Sequence, residues 1–362
     1  MENTIPVEER QRLYELCKTY LSGKWTEVTA NELIIKPVTD GFVNKLYYCG
    51  LPDHMDTKYN KVVVRDVDYE QFKDFYNQTH VIAMSVILSQ INISPKLLAV
   101  FPNGTINEFI ECRYFNATDD VNPKTVGLLA RKLAKFHSLD MPIPKTTKNM
   151  TELFKDFFTE ELKTSASEGT VFKQIHEYNL QTFKDLTLTD ELSWLANTVQ
   201  ELKSPVVFSH NDFNRRNTLV RDSNVNNNKE MEIFLIDFDW TNYSYRGADF
   251  GQYFCSWGQK ETDFGSGDFP TDPQMALFID AYIEEMIEIN GNSYAKHEIN
   301  SRERITKEAK LFALMAFMKD IMYCIWQTTL IGVTDLMPKA EVRFNCYRVL
   351  KKRILHEYPD LQ

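Results

Sequence analysis

Two short apolar runs in the middle of the chain each end in acids. Val206-Val207-Phe208 leads into Ser209-His210-Asn211-Asp212, with Asn217 five residues further on. Ile233-Phe234-Leu235-Ile236 leads into Asp237-Phe238-Asp239. Phosphoryl transfer asks for few parts: one carboxylate to take or orient the proton of the attacking hydroxyl, and two or three oxygen ligands for Mg²⁺ on the phosphates. Asp212 suits the first role, Asn217 and Asp237 the second, with Asp239 beside them. Acids crowded in a low dielectric repel one another unless a cation sits among them. Taken singly, Asn211 and Asp212 read as a turn or helix cap and Asp237 as loop polarity. Their order and spacing together, base then amide then acid, point to phosphoryl transfer.

The rest of the chain must build the frame. Leu13, Leu16, Cys17 and Tyr20 fall on one face of a helix over residues 8–21. Residues 33–36, 46–49 and 61–65 read as strands, and 96–101 and 105–110 as two more, split by Pro102-Asn103-Gly104. Residues 69–90 read as a helix. The turn Asp40-Gly41-Phe42-Val43-Asn44, followed by Lys45 and Leu46, lies where backbone amides could approach phosphate oxygens; one glycine in a hairpin is by itself a structural feature. Arg65 closes a β-branched run and alone reads as an edge-strand cation on a solvated face. After Pro123 the pattern turns helical, with Val126, Leu129, Leu133 and Phe136 on one face, and further helices are expected over 272–289, 301–330 and 340–356. His137 reads as a hydrogen-bonded packing residue. A polar loop is expected between Asn217 and Ile233. The expected class is α+β: a small antiparallel-sheet N-terminal lobe, 1–110, and a large, mainly helical C-terminal lobe, 111–362.

Composition narrows the partners. With 41 basic and 51 acidic residues the net charge is −10, which argues against nucleic acid. No apolar run reaches the roughly 20 residues needed to span a bilayer, the nearest being 311–326, which Lys319 and Asp320 interrupt. The N-terminal stretch is charged and amphipathic, unlike a secretory signal. Six scattered cysteines without a Cys-x-x-Cys pair suit free thiols in a reducing compartment, so the cytosol is expected.

The sequence resembles the choline/ethanolamine kinase family, which shares the protein-kinase-like fold with aminoglycoside phosphotransferases. His210-Asn211-Asp212 with Asn217, and Ile236-Asp237-Phe238, carry the broad match; Tyr243-Ser244-Tyr245-Arg246-Gly247-Ala248-Asp249-Phe250-Gly251, with Phe254-Cys255-Ser256-Trp257, carries the narrow one. The resemblance implies ATP and Mg²⁺ as cofactors and a small amino alcohol as substrate, in the first step of phosphatidylcholine synthesis. It implies Asp212 as base, and Asn217 and Asp237 as Mg²⁺ ligands supported by Asp239. For the nucleotide it implies Arg65 on the phosphates, Asp40 to Leu46 as the phosphate-covering turn, Glu108, Phe109 and Ile110 at the adenine hinge, and Asn214 and Asp237 in contact. Asp249 would tether the catalytic loop. Members are often dimers, so a homodimer goes with the resemblance.

Several positions depart from the family. The phosphate turn has Asp40 and Val43 where small residues are usual, and the helix near Val81 lacks the glutamate that would partner Arg65, leaving Asp66, Asp68 or Glu70 as substitutes. The metal motif ends in Asp239 in place of glutamate. A quaternary ammonium is recognised through aromatic faces and nearby acids, yet Leu311 to Phe317 has no tryptophan and Ser256 stands where the family has glutamate. Trp257, Phe317, Tyr323, Trp326, Glu261 and Asp263 are the candidates to rebuild a cation site. Choline kinase activity is the leading expectation. An ethanolamine or other amino-alcohol kinase is the alternative, and a catalytically degenerate partner-binding module is a third.

Overall fold

The computed structural model describes residues 5–38, 45–67, 77–147, 167–184, 188–225, 228–259, 267–330 and 336–361. Two compact units emerge. The first joins residues 1–113 to 219–239; the second comprises 114–218 and 240–362. A single boundary at 110/111 therefore misses the return of Leu219–Asp239 to the first unit.

The first unit is built on an antiparallel five-stranded sheet in the order β1-β2-β3-β5-β4, formed by β1 (Ile34–Val38), β2 (Lys45–Gly50), β3 (Lys61–Asp66), β4 (Leu97–Phe101) and β5 (Gly104–Glu108). The alternation of Val62 and Val64 turns both into a core with Ile35, Cys49 and Ile106, and sends Arg65 to the other face. Helix α1 (Val7–Tyr20) seals that core with Leu13, Tyr14 and Cys17. Gly104 faces Asp66 across the β3–β5 ladder, and the strands approach so closely that a Cβ there would strike the Arg65 carbonyl. Helix α2 spans Gln78–Gln90 within the expected 69–90, of which 69–76 lie outside the described residues, and the Asn77 side chain caps it by accepting from the His80 amide.

The stretch expected as a polar loop is instead a pair of strands, β8 (Thr218–Val225) and β9 (Asn228–Leu235), in a sheet ordered β6-β8-β9 with β6 (Arg113–Tyr114). Polar residues dominate it because one face is solvated, while Val220, Ile233 and Leu235 are buried. The Leu235 amide donates to the Ile93 carbonyl (2.9 Å), which fixes the strand just before Asp237.

The second unit is mainly helical. Its helices are α3 (Pro123–His137), α4 (Thr170–Glu177), α5 (Gln181–Lys184), α6 (Leu188–Glu201), α7 (Gly247–Cys255), α8 (Asp272–Asn290), α9 (Arg302–Leu330) and α10 (Met337–Glu357). Residues 311–318 of α9 are all buried, so this helix is the axis of the unit. Helix α7 crosses it in van der Waals contact because Gly247 and Gly251 lack side chains; a Cβ on Gly251 would collide with the Phe312 backbone. The short ladder of β7 (Val206–Ser209) with β10 (Asn242–Tyr245) places Ser209 opposite Asn242 and aims the chain at Asp212. No helix among the described residues is long and apolar enough to cross a membrane. Four of the cysteines, Cys17, Cys49, Cys255 and Cys324, are buried.

Candidate active site

In the second unit, β7 delivers Ser209 and His210 into the core and the backbone then turns sharply. Asn211 has φ +60°, a left-handed conformation that asparagine tolerates better than most residues. Buried Asp249, on the first turn of α7, secures this bend by accepting from the His210 amide (2.8 Å) and the Asn211 amide (2.7 Å). His137 lies 3.0 Å from the same carboxylate and 3.0 Å from the Tyr282 hydroxyl, so it is a packing histidine that locks the tether in place. Burial pushes the Asp249 carboxyl up, but the His137 hydrogen bond and nearby His210 outweigh it and leave it below the usual carboxylate range.

Asp212 follows directly and is half-buried. The Asn217 side-chain amide donates to its Oδ2 (2.7 Å) and to its carbonyl (2.9 Å). With its nitrogen turned to Asp212, Asn217 presents its oxygen as the remaining polar atom, the orientation a metal ligand needs. Asn214 closes the turn from within: its Oδ1 accepts from the Arg216 amide (2.9 Å) and its Nδ2 donates to the Asp212 carbonyl (3.2 Å). The other oxygen of Asp212, Oδ1, receives the Lys319 ammonium of α9 (3.2 Å), which also donates to the Asn211 carbonyl (2.9 Å). Lys319 stands out in sequence only as a charge inside an apolar run. Arg215 is a second residue whose place the sequence did not disclose. It donates to the Ser256 and Gln259 carbonyls and pairs with Asp120 at 2.8 Å, tying the catalytic loop to the chain that follows α7. Burial drives the Asp120 carboxyl up to about 6 although Arg215 opposes it.

The first unit carries the other acids. Asp237 also lies in the left-handed region, with φ +64°, and its side chain is 42% exposed. Arg65 reaches Asp239 at 2.5 Å and Asp237 at 3.7 Å. Among the described residues Arg65 thus pairs with Asp239 and, at longer range, Asp237, and Asp66 is engaged by Arg12. Asp68 and Glu70 lie outside the described residues, as do Asp40, Gly41, Phe42, Val43 and Asn44 of the phosphate turn. Lys45 and Leu46 open β2, Leu46 facing Arg65 in the ladder. Glu108 ends β5 with its carboxylate on the Lys96 amide (2.7 Å), Phe109 packs edge-on against Tyr48 with centroids 4.9 Å apart, and Ile110 is buried.

Among the described residues no group of three or more His, Cys, Asp or Glu side chains forms a preassembled metal cluster. Sparse oxygen donors are nevertheless what Mg²⁺ uses when it retains waters and phosphate oxygens as ligands, and each unit by itself offers donors of that kind: the Asn217 amide oxygen in the second, the Asp237 and Asp239 carboxylates in the first. Of the candidates for a cation cage, Phe317 is buried beneath Arg343. Tyr323 and Trp326 form a tilted pair 6.2 Å apart on α9, Trp257 is half-buried, and Glu261 and Asp263 lie outside the described residues.

The fold is that of the protein-kinase-like phosphotransferases, and the family match makes the protein a transferase that phosphorylates an alcohol. A profile described as choline/ethanolamine kinase matches residues 35–348, and the chain belongs to that family. A choline/ethanolamine kinase of Rattus norvegicus is 26% identical over 95% of this chain and 87% of its own. The crystal structure of a choline kinase from Cryptosporidium parvum aligns with a TM-score of 0.71 at 20% identity, covering 96% of each chain. The ADP-bound aminoglycoside phosphotransferase APH(2″)-Ib aligns with a TM-score of 0.51 at 13% identity, covering 93% of this chain and 98% of that one.

Proposed function

We propose that this protein transfers the γ-phosphoryl group of ATP to the hydroxyl of a small amino alcohol, choline first and ethanolamine as the alternative. The observation that carries the reading is the carboxylate of Asp212, fixed on a strand-borne loop with Asn217 on one of its oxygens. In this reading the hydroxyl oxygen attacks the γ-phosphorus as its proton passes to Asp212, and the bond from the γ-phosphorus to the bridging oxygen breaks to leave ADP. Asn217 and Asp237, supported by Asp239, would hold Mg²⁺, which would neutralise phosphate charge when bound. Arg65, Lys45, Leu46, residues 40–44, Glu108, Phe109, Ile110 and Asn214 would hold the nucleotide. The work would be done in the cytoplasm, by a homodimer if the family habit holds.

The ethanolamine alternative draws on a specific feature: Phe317 lies in the core and Ser256 stands in place of an acid, so neither serves a quaternary ammonium. A primary amine needs hydrogen-bond acceptors more than an aromatic cage. The test is ADP release by the purified protein with Mg-ATP and a panel of amino alcohols. Turnover with choline or ethanolamine is expected. A folded protein without acceptor-dependent turnover would sink the enzyme reading in favour of a partner-binding module.

A further inference from the structure

We infer that Lys319 is the positioning residue for the base, holding the Asp212 carboxylate from the side of α9, an inference that rests on the phosphotransferase reading above. Residues 311–318 of α9 are buried and apolar, and the first charge after them is Lys319. Its stem continues that apolar face while its ammonium is delivered to two oxygens of the catalytic loop, the Asn211 carbonyl at 2.9 Å and Asp212 Oδ1 at 3.2 Å. Asn217 takes Oδ2, so the two carboxylate oxygens are gripped by separate donors and rotation of the carboxylate is checked. Each oxygen has two lone pairs, so one per oxygen is left to accept from an incoming hydroxyl. Three of the participants belong to the loop, and Lys319, 107 residues away from Asp212, is the one that ties it to α9.

Two further observations separate this pair from a casual ion pair. Lys319 and Asp212 side chains are 37% and 26% exposed, and pairs with that access to water contribute about 0–1 kcal/mol to stability. Stability therefore gives little reason to place a lysine here. Second, the charge is backed. Asp320 pairs with Arg343 of α10 at 3.0 Å, making an alternating series from Asp212 through Lys319 and Asp320 to Arg343. Burial would lower the Lys319 ammonium, but Asp212 and Asp320 outweigh it and keep it protonated. Burial raises Asp320 despite Arg343 and Lys319. A permanently charged donor with a fixed stem is suited to aiming a carboxylate.

The test compares Lys319→Met, Lys319→Gln and Lys319→Arg with unmodified protein, and Lys319→Met again in an Asp212→Asn background. For Lys319→Met, kcat is expected to fall about 10- to 100-fold, the range by which misplacing a reacting group slows an enzyme. KM for ATP should stay within about twofold, the signature of a lost positioning interaction and not of lost uniform binding. Lys319→Arg should recover most of the rate, and in the Asp212→Asn background Lys319→Met should add no further loss. Lys319→Gln serves as the neutral variant if Lys319→Met does not fold. An unchanged kcat in the neutral variants, or an equal loss in both backgrounds, overturns the inference and leaves the function standing. No turnover by the unmodified protein overturns both.

Discussion

Two ion pairs in the second unit invite comparison, because both involve α9 and they could hardly be built more differently. Arg246 and Glu308 are 2% and 0% exposed and pair at 2.8 Å. The guanidinium also donates to the Asn300 side chain (2.9 Å) and the Ile299 carbonyl (2.8 Å), and Glu308 accepts from Ser204 (2.6 Å). Burial works against the charged Arg246, yet Glu308 more than compensates and keeps it charged. Every direction around that pair is filled by the protein. Lys319 of α9 meets Asp212 of the loop where both side chains keep access to water, 37% and 26% exposed. A saturated pair specifies where helices sit; a pair with acceptor capacity to spare specifies what can be bound. In the sequence Glu308 is one of several charges early in α9 and Lys319 the first charge after an apolar run, so exposure and remaining hydrogen-bond capacity are what tell their roles apart.

Mutation should separate the two kinds of pair along different axes. Asp212→Asn is expected to lower kcat about 10³-fold, within the range for loss of a general base, with the melting temperature within a few degrees of unmodified protein and ATP binding retained. Steady-state kinetics with a nucleotide-binding titration would check it, and surviving turnover would remove Asp212 from the role. Arg246→Met is expected to do the reverse. Leaving Glu308 charged and unpaired costs about 3–5 kcal/mol, so calorimetry should record a melting temperature lower by roughly 10 °C, with the protein that stays folded retaining its KM values. If Arg246→Met were silent in calorimetry, the contrast drawn here would fail.

A third pair lies in the first unit. Arg65→Lys keeps the charge and loses the planar fork that reaches Asp239, and about a tenfold rise in KM for ATP is expected, with KM for the acceptor little changed. The smallest effect concerns Asp120, which pairs with Arg215 inside the second unit. Its folded carboxyl is raised to about 6, above the ordinary value of 3.8, so between those values the folded state binds more protons than the unfolded one. The contribution of Asp120 to stability therefore grows as pH falls from about 6 towards 4 and declines as pH rises through 6. Melting curves of Asp120→Asn against unmodified protein should show the difference in that window, and a difference that does not vary with pH would remove the assignment.

Much of this was legible in the sequence. The strands around Val62 and Ile106, the helix starting at Pro123 and the acids after β7 and β9 all announce themselves through local pattern, and local pattern is what a sequence carries best. The hairpin after Asn217 was not, because its polar residues come in unbroken runs, Arg221 to Asn224 and Asn226 to Glu230, which hide the strand alternation around Val220 and leave only Ile233 to Ile236 as a visible apolar run. The partner of Arg65 lay 174 residues downstream, where no spacing rule reaches. Lys319 was visible as a residue but not as a functional one, since an apolar run broken by a charge says that the run is not a membrane span and nothing about what the charge meets.

The glycines at 247 and 251 carry one more consequence. With α7 seated against the Phe312 backbone and no room for even a methyl group, the two helices cannot slide or rotate past one another without a collision. Substitutions on the exposed side of α9, at Tyr323 for example, would then change the side chains the helix presents and not its seat against α7.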